Sequence, residues 1–157
     1  MMHARIARTG DAEAAVDVLK RSITELCVID HRNDAATLQQ WLSNKTVQNF
    51  RAWIGSLDHF CVVTEDDAGV NGVGMLNRRG EIQLCYVSPD AQRRGCGAAI
   101  LAALEEQAGK WALPRVHLAS TEAARVFYEK HGFRPGGEST CGFGVTRCYP
   151  YEKNLGL

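Results

Sequence analysis

The chain carries no excess of charge of either sign: 18 Lys+Arg balance 18 Asp+Glu across 157 residues. A balanced chain projects no global field, so neither nucleic acid nor an anionic membrane is expected as a partner. Its six cysteines (Cys27, Cys61, Cys85, Cys96, Cys141 and Cys148) include no CxxC pair and no repeated short spacing. That speaks against a zinc site or a disulfide framework and for a reducing compartment. The five histidines show no ligand spacing either, so no metal is assigned. The N-terminal "MMHARIARTGDAEAAV" lacks an apolar signal core, and no apolar stretch reaches membrane-spanning length, which predicts a cytoplasmic protein. Repeats, linkers and low-complexity segments are missing too. Residues 1–157 are therefore read as one domain, long enough to bury a single core.

What is present is an alternation of strand and helix signals. A short strand, "ARIARTG", opens the chain. Asp11 reads as the N-cap of a helix running to about Val28, with Ala12, Ala15, Val16, Leu19, Ile23 and Leu26 at three-and-four spacing. "IDHRNDAATLQQWLSNKTVQNFRAWIGS" reads as loop, short helix and a further helix. "HFCVVTE", "VNGVGMLN" and "EIQLCYVSP" follow as strands, the two glycines of the second implying a bulge or a close neighbour. Residues from about 95 to 112 form a helix that Pro114 helps to end. "RVHLAS" is a buried strand, and "TEAARVFYEKHGF" is a helix closed by Gly132. The tail, "RPGGESTCGFGVTRCYPYEKNL", reads as two strands around a glycine-rich bend. The expectation is an α/β domain with a mixed sheet of about six to seven strands flanked by about four to five helices.

The stretch Gln92-Arg93-Arg94-Gly95-Cys96-Gly97-Ala98 joins the strongest strand to a helix. Strand, glycine turn and helix N-terminus together offer unpaired N–H donors and a positive dipole end, which suits a phosphate. A turn whose glycines serve only the connection is the plain alternative. Two nucleotide-binding patterns fail on the residues. No GxxxxGK[ST] string exists, and the third glycine of a dinucleotide fingerprint would fall on Ile100.

With its surroundings, "EIQLCYVSPDAQRRGCG" resembles motif A of the GNAT superfamily of N-acetyltransferases, (Gln/Arg)-x-x-Gly-x-(Gly/Ala). Downstream, "STEAARVFYEKHGF" resembles that family's "A-x-x-F-Y-x-x-x-G-F" helix. The resemblance covers roughly His59 to Tyr149. It implies splayed central strands, acetyl-coenzyme A as acetyl donor, and a pyrophosphate cradled by Gln92, Arg93, Arg94, Gly95, Cys96, Gly97 and Ala98. It also implies that backbone groups of Cys85, Tyr86 and Val87 meet the pantetheine arm. The family's cofactor-contacting asparagine is replaced here by Thr121, which can still hydrogen-bond.

Acetyl transfer to an amine needs a neutral nucleophile and a proton for the departing thiolate. Glu81 opens the central strand, and period-two alternation puts it opposite Ile82, Leu84 and Tyr86. In one branch of the resembling family a glutamate here is the general base; the alternatives are a water chain, or Glu81 as a solvated strand-end charge. Tyr128 matches the tyrosine that the family uses as acid toward the thiolate; otherwise it is a core aromatic beside Phe127 and Phe133. Arg125 and Lys130 either reach the 3′-phosphate or are solvated helix charges. Cys85 reads as a buried strand residue rather than a nucleophile. The family resemblance places the acceptor region at about Cys27 to Ser56 and Gly136 to Tyr149, where the carboxylates of "CVIDHRND" could draw a cationic amine. A homodimer is compatible with the resemblance. The function expected is N-acetyl transfer, with a non-catalytic acyl-coenzyme A sensor as the alternative.

Overall fold

The computed structural model describes residues 2–136 and 147–156. Its elements, in chain order, are β1 (Ala4–Ile6), α1 (Ala12–Leu26), α2 (Val28–His31), α3 (Ala35–Leu42), α4 (Val47–Ile54), β2 (His59–Asp66), β3 (Gly69–Asn77) and β4 (Ile82–Val87). Then come α5 (Cys96–Lys110), β5 (Arg115–Ser120), α6 (Arg125–Lys130), β6 (Arg134–Pro135) and β7 (Tyr149–Asn154). The glycine-rich bend expected in the tail falls largely on residues 137–146, outside the described residues.

The strands form two antiparallel sheets, β1-β2-β3-β4 and β5-β7-β6. Helices cover both faces of the larger one. On one side α1 and α4 press Ala15, Val16, Leu19 and Phe50 onto Cys61, Val63, Val73, Met75 and Leu84. On the other, Ile100, Leu101 and Leu104 of α5 meet Val62, Leu76 and Ile82, and the same core continues into Val116, Leu118 and Tyr151 of the smaller sheet. Each fully buried side chain of this size contributes roughly 1.5–3 kcal/mol by leaving water. Between the two layers, β3 is buried from Asn71 to Asn77. The close neighbours anticipated for its glycines are the Thr64 side chain at Gly72 and the Ile100 side chain at Gly74.

Several local expectations change in detail. The long first loop contains an extra helical turn, α2, because its C-terminal Arg32 adopts a left-handed conformation (φ 54) and Asp34 starts α3 afresh by accepting from Thr37 N. Asp11 occupies the N-cap position of α1 but makes no side-chain cap there. Its carboxylate instead accepts from the Arg8 N–H at 2.7 Å and from the Arg5 guanidinium at 2.9 Å. Cys148 is disulfide-bonded, which the argument against a disulfide framework did not anticipate. Cys27, Cys61, Cys85 and Cys96 are free thiols.

Candidate active site

Two neighbouring strands part company at the centre of the molecule. β4 and β5 touch through a parallel bridge between Glu81 and His117, where His117 N donates to Gly80 O at 2.9 Å. Beyond it they belong to different sheets. The gap is a cleft of about 500 Å³, with Cys85, Tyr86 and Val87 on one side and Leu118 and Ala119 on the other. An extended ligand bearing amides can satisfy the backbone groups on such a splayed edge.

A bulge alters which way β4 points its side chains. Its register against β3 runs from Met75↔Leu84 to Leu76↔Ile82, leaving Gln83 as the extra residue. Ile82 consequently packs into the α5 core while Leu84 packs into the α1 core, although the two are only two residues apart. Strict alternation, which would place Ile82, Leu84 and Tyr86 on one face, is corrected at this point. Cys85 and Val87 turn toward the α5 core, and Tyr86 packs toward α1 and the Trp41 cluster.

At its far end β4 runs through the 89–91 turn into the glycine stretch. An ion pair from Arg21 of α1 to Asp90 at 2.7 Å anchors that turn. Arg93 and Gly95 are both left-handed, with φ of 64 and 83, so the backbone curls into a concave loop. A side chain at Gly95 would meet nothing within 4 Å, whereas one at Gly97 would stand 2.7 Å from the Phe127 ring. The two glycines thus have different tasks: Gly95 turns the chain beside open space, and Gly97 lets α6 lie against α5. The amides of Cys96, Gly97 and Ala98 open α5 with no carbonyl one turn back to accept from them. No acidic side chain occupies this first turn.

The opposite wall is α6 with the turn before it. Tyr128 is buried and lines the cleft. Burial, reinforced by neighbouring Cys85, holds its hydroxyl well above the ordinary phenol range, so it remains a proton donor. Burial also pushes the Cys85 thiol up to about 12, and the Cys27 thiol likewise to about 12. Cys27 and Cys85 are thus held as thiols at neutral pH, which disfavours an acyl-cysteine step on either. Thr121 faces the cleft while its hydroxyl oxygen accepts from Ala124 N at 3.2 Å, leaving the O–H to donate.

Gln92, Arg93, Gly95, Cys96, Gly97 and Ala98 line the same cleft as Cys85, Tyr86, Val87, Thr121 and Tyr128. Two expected site residues stand apart from the lining. Arg94 pairs with Asp66 at 3.1 Å. Glu81 lies by the β4–β5 bridge, with Oε1 accepting from Asn77 Nδ2 at 3.0 Å. Arg125 is half-exposed and already has partners. It stacks 3.9 Å over the Tyr149 ring and bonds Glu122 and Tyr151. The acidic residues of "CVIDHRND" are also occupied: Asp34 caps α3, and Asp30 accepts from backbone amides of Glu122 and Ala123. Ser22, Cys27 and Gln83 also line the cleft. Ser22 and Gln83 escaped the sequence reading because helix packing and a bulge bring them there, whereas Cys27 stands at the start of the expected acceptor region. His131 carried a signal, lying one turn after Phe127, and it too faces the cleft. Among the described residues, no group of three or more His, Cys, Asp or Glu is arranged to hold a metal ion. Nor is any described helix long and apolar enough to cross a membrane.

A layered α/β fold whose central sheet splits over a cleft, with a glycine turn and open helix amides at one end, defines an acyltransferase of the acetyl-coenzyme A-using kind. The family model described as "Acetyltransferase (GNAT) domain" matches residues 27–155. The chain belongs to that family and is an acetyl-coenzyme A-dependent N-acetyltransferase. Among solved structures, the PaiA N-acetyltransferase of Thermoplasma acidophilum in complex with coenzyme A is similar at 18% identity and a TM-score of 0.82, over 98% of this chain and 99% of that one. A GCN5-related N-acetyltransferase from Rhodopseudomonas palustris is similar at 20% identity and a TM-score of 0.86, over 98% and 96%. The structure of YncA from Salmonella typhimurium with its cofactor acetyl-CoA is similar at 19% identity and a TM-score of 0.71, over 100% and 95%. At these identities the likeness is one of fold. No curated protein matches the sequence.

Proposed function

We propose that residues 1–157 act as one catalytic unit that moves an acetyl group directly onto a primary amine, with Tyr128 as proton donor and Glu81, acting through water, as the base. The observation that carries this reading is the position of Tyr128: a buried, protonated phenol in the same cleft as the splayed strand and the glycine turn. The residues suit acetyl-coenzyme A: one structural neighbour is described in complex with coenzyme A and another with acetyl-CoA. The open amides of α5, the free space at Gly95 and the Arg93 side chain match a pyrophosphate, and the unladdered edge of β4 matches the pantetheine amides.

The donor supplies an activated acetyl thioester. The chain's part is positioning and proton traffic. Tyr128 gives its proton to the sulfur as the C–S bond breaks and the new C–N bond forms, so the thiolate never has to leave as an anion. Glu81 takes the amine's proton by way of water, because its carboxylate sits beside the bridge and not in the cleft lining. The acceptor approaches past Cys27 and Tyr86, between α1 and β4. High thiol pKa values at Cys27 and Cys85 favour this direct route over a covalent acyl-enzyme.

The test is release of free coenzyme A thiol from acetyl-coenzyme A across a panel of amino acids, polyamines, aminoglycosides and short peptides, with a no-acceptor blank for the protein's own thiols. Tyr128→Phe is run alongside. Release with one amine class, reduced about a hundredfold in the variant with coenzyme A affinity kept, is the expected result. Tight coenzyme A binding without release to any amine would favour the sensor reading instead.

A further inference from the structure

The cleft is bridged from wall to wall by one carboxylate. Asp30 Oδ1 accepts from Glu122 N at 2.7 Å, and Oδ2 accepts from Ala123 N at 3.3 Å, across more than ninety residues of sequence. Asp30 sits on α2, beside the wall that contributes Cys27. Glu122 and Ala123 belong to the turn that contributes Thr121 and leads into α6. We propose that Asp30 is a positioning residue for acetyl transfer, a latch that pins Tyr128's helix to the helices on the acceptor side. This rests on the reading of Tyr128 as proton donor.

Both ends of the latch are built to be stiff. The next residue, His31, is 1% exposed and donates through Nε2–H to Ile23 O at 2.9 Å, while its Nδ1 accepts from Asn33 N at 3.0 Å. Its ring meets Trp41 edge-on at 6.2 Å. α2 is thereby locked to the end of α1, and Asp30 projects from a fixed base. On the far side the pinned amides immediately precede Ala124, whose carbonyl accepts from Tyr128 N at 3.1 Å. Tyr128 therefore follows the latch by a single helical turn. Each of the two consecutive N–H donors meets its own carboxylate oxygen, and a carboxylate makes such bonds stronger than a neutral amide would. An asparagine would keep one oxygen and turn an NH2 group toward a second donor.

A catalytic group displaced by about 1 Å loses up to about a hundredfold in rate. Asp30→Ala is accordingly expected to lower kcat by about ten- to a hundredfold, more than it weakens coenzyme A binding, because Tyr128 acts in the chemical step. Hydrogen exchange at the Glu122 and Ala123 amides should speed up, and Asp30→Asn should fall between wild type and Asp30→Ala in both readouts. Unchanged exchange at both amides would show that no latch exists. Faster exchange with an unchanged kcat, or a lower melting temperature with an unchanged kcat, would reduce Asp30 to a purely structural tie and overturn the proposal. Should the wild type acetylate no amine, the transfer reading has failed, and the exchange measurement still decides whether the latch is there.

Discussion

At its Glu81 end β4 has neighbours on both sides, and at its Val87 end it has one. At the first end the polar groups are largely engaged with one another. Asn77 Oδ1 accepts from Arg79 N and Glu81 N, each at 3.0 Å, Asn77 Nδ2 holds the Glu81 carboxylate, and the bridge to His117 closes the sheet. The nearby His59 Nδ1 is left without a partner. At the second end the backbone faces a cleft, the chain turns through left-handed Arg93 and Gly95, and helix amides point at open space. Unmet hydrogen-bonding capacity is costly when buried, so it persists where a ligand will meet it. One strand thus carries a structural end and a binding end, with the bulge at Gln83 between them.

That contrast can be broken most severely at Gly97. A valine there would drive its Cβ to 2.7 Å from Phe127, and Gly97→Val is expected to cost about 1–3 kcal/mol of stability. It should also abolish the rise in melting temperature that coenzyme A gives the wild type; a retained rise would separate the turn from the cofactor. Glu81→Gln asks whether the closed end takes part in chemistry at all. It should lower kcat by about a hundredfold with coenzyme A binding unchanged, whereas an unaffected kcat would make Glu81 part of the bridge alone.

Asn77→Ala sharpens the same end through the side chain that holds the Glu81 carboxylate. It strips the acceptor from two partly buried amides, for a loss of about 1–3 kcal/mol measured by denaturant titration. A neutral result would mean that water replaces the side chain. The smallest effect is expected far from the cleft, at Asp11 on the sheet's outer edge. Hydrogen bonding to Arg5, more than any other influence, holds its carboxyl below the usual range. A lowered folded-state pKa contributes stability that is present above the unfolded carboxylate value of about 4 and is lost as pH falls through the folded one. Asp11→Asn should therefore cost about 1 kcal/mol at neutral pH, and the gap from wild type should close in acid. A gap independent of pH would assign the loss to packing.

Much of the site was legible because it is local. Gln92 to Ala98 is one contiguous run, and its chemistry follows from what glycines and a helix start do together. Tyr128 stood out because its neighbours Phe127, Gly132 and Phe133 form a spaced pattern. Ser22 gave no such signal, since nothing within α1 says which part of its buried face will overhang a cleft. Asp30 was read as a charge to attract an amine, and its two partners lie on a turn that only folding brings near. Glu81 was assigned a face by alternation, a rule that the bulge beside it suspends.

The sequence by itself determined the order of strands and helices, the apolar faces that build two cores, the glycine turn and the family. These depend on spacings of a few residues, where backbone geometry leaves little choice. Tertiary structure decided where β4 and β5 separate, which way each β4 side chain points, and which carboxylates are free. Those depend on contacts between residues tens of positions apart, and pairing energies across such distances leave no periodic trace in the chain.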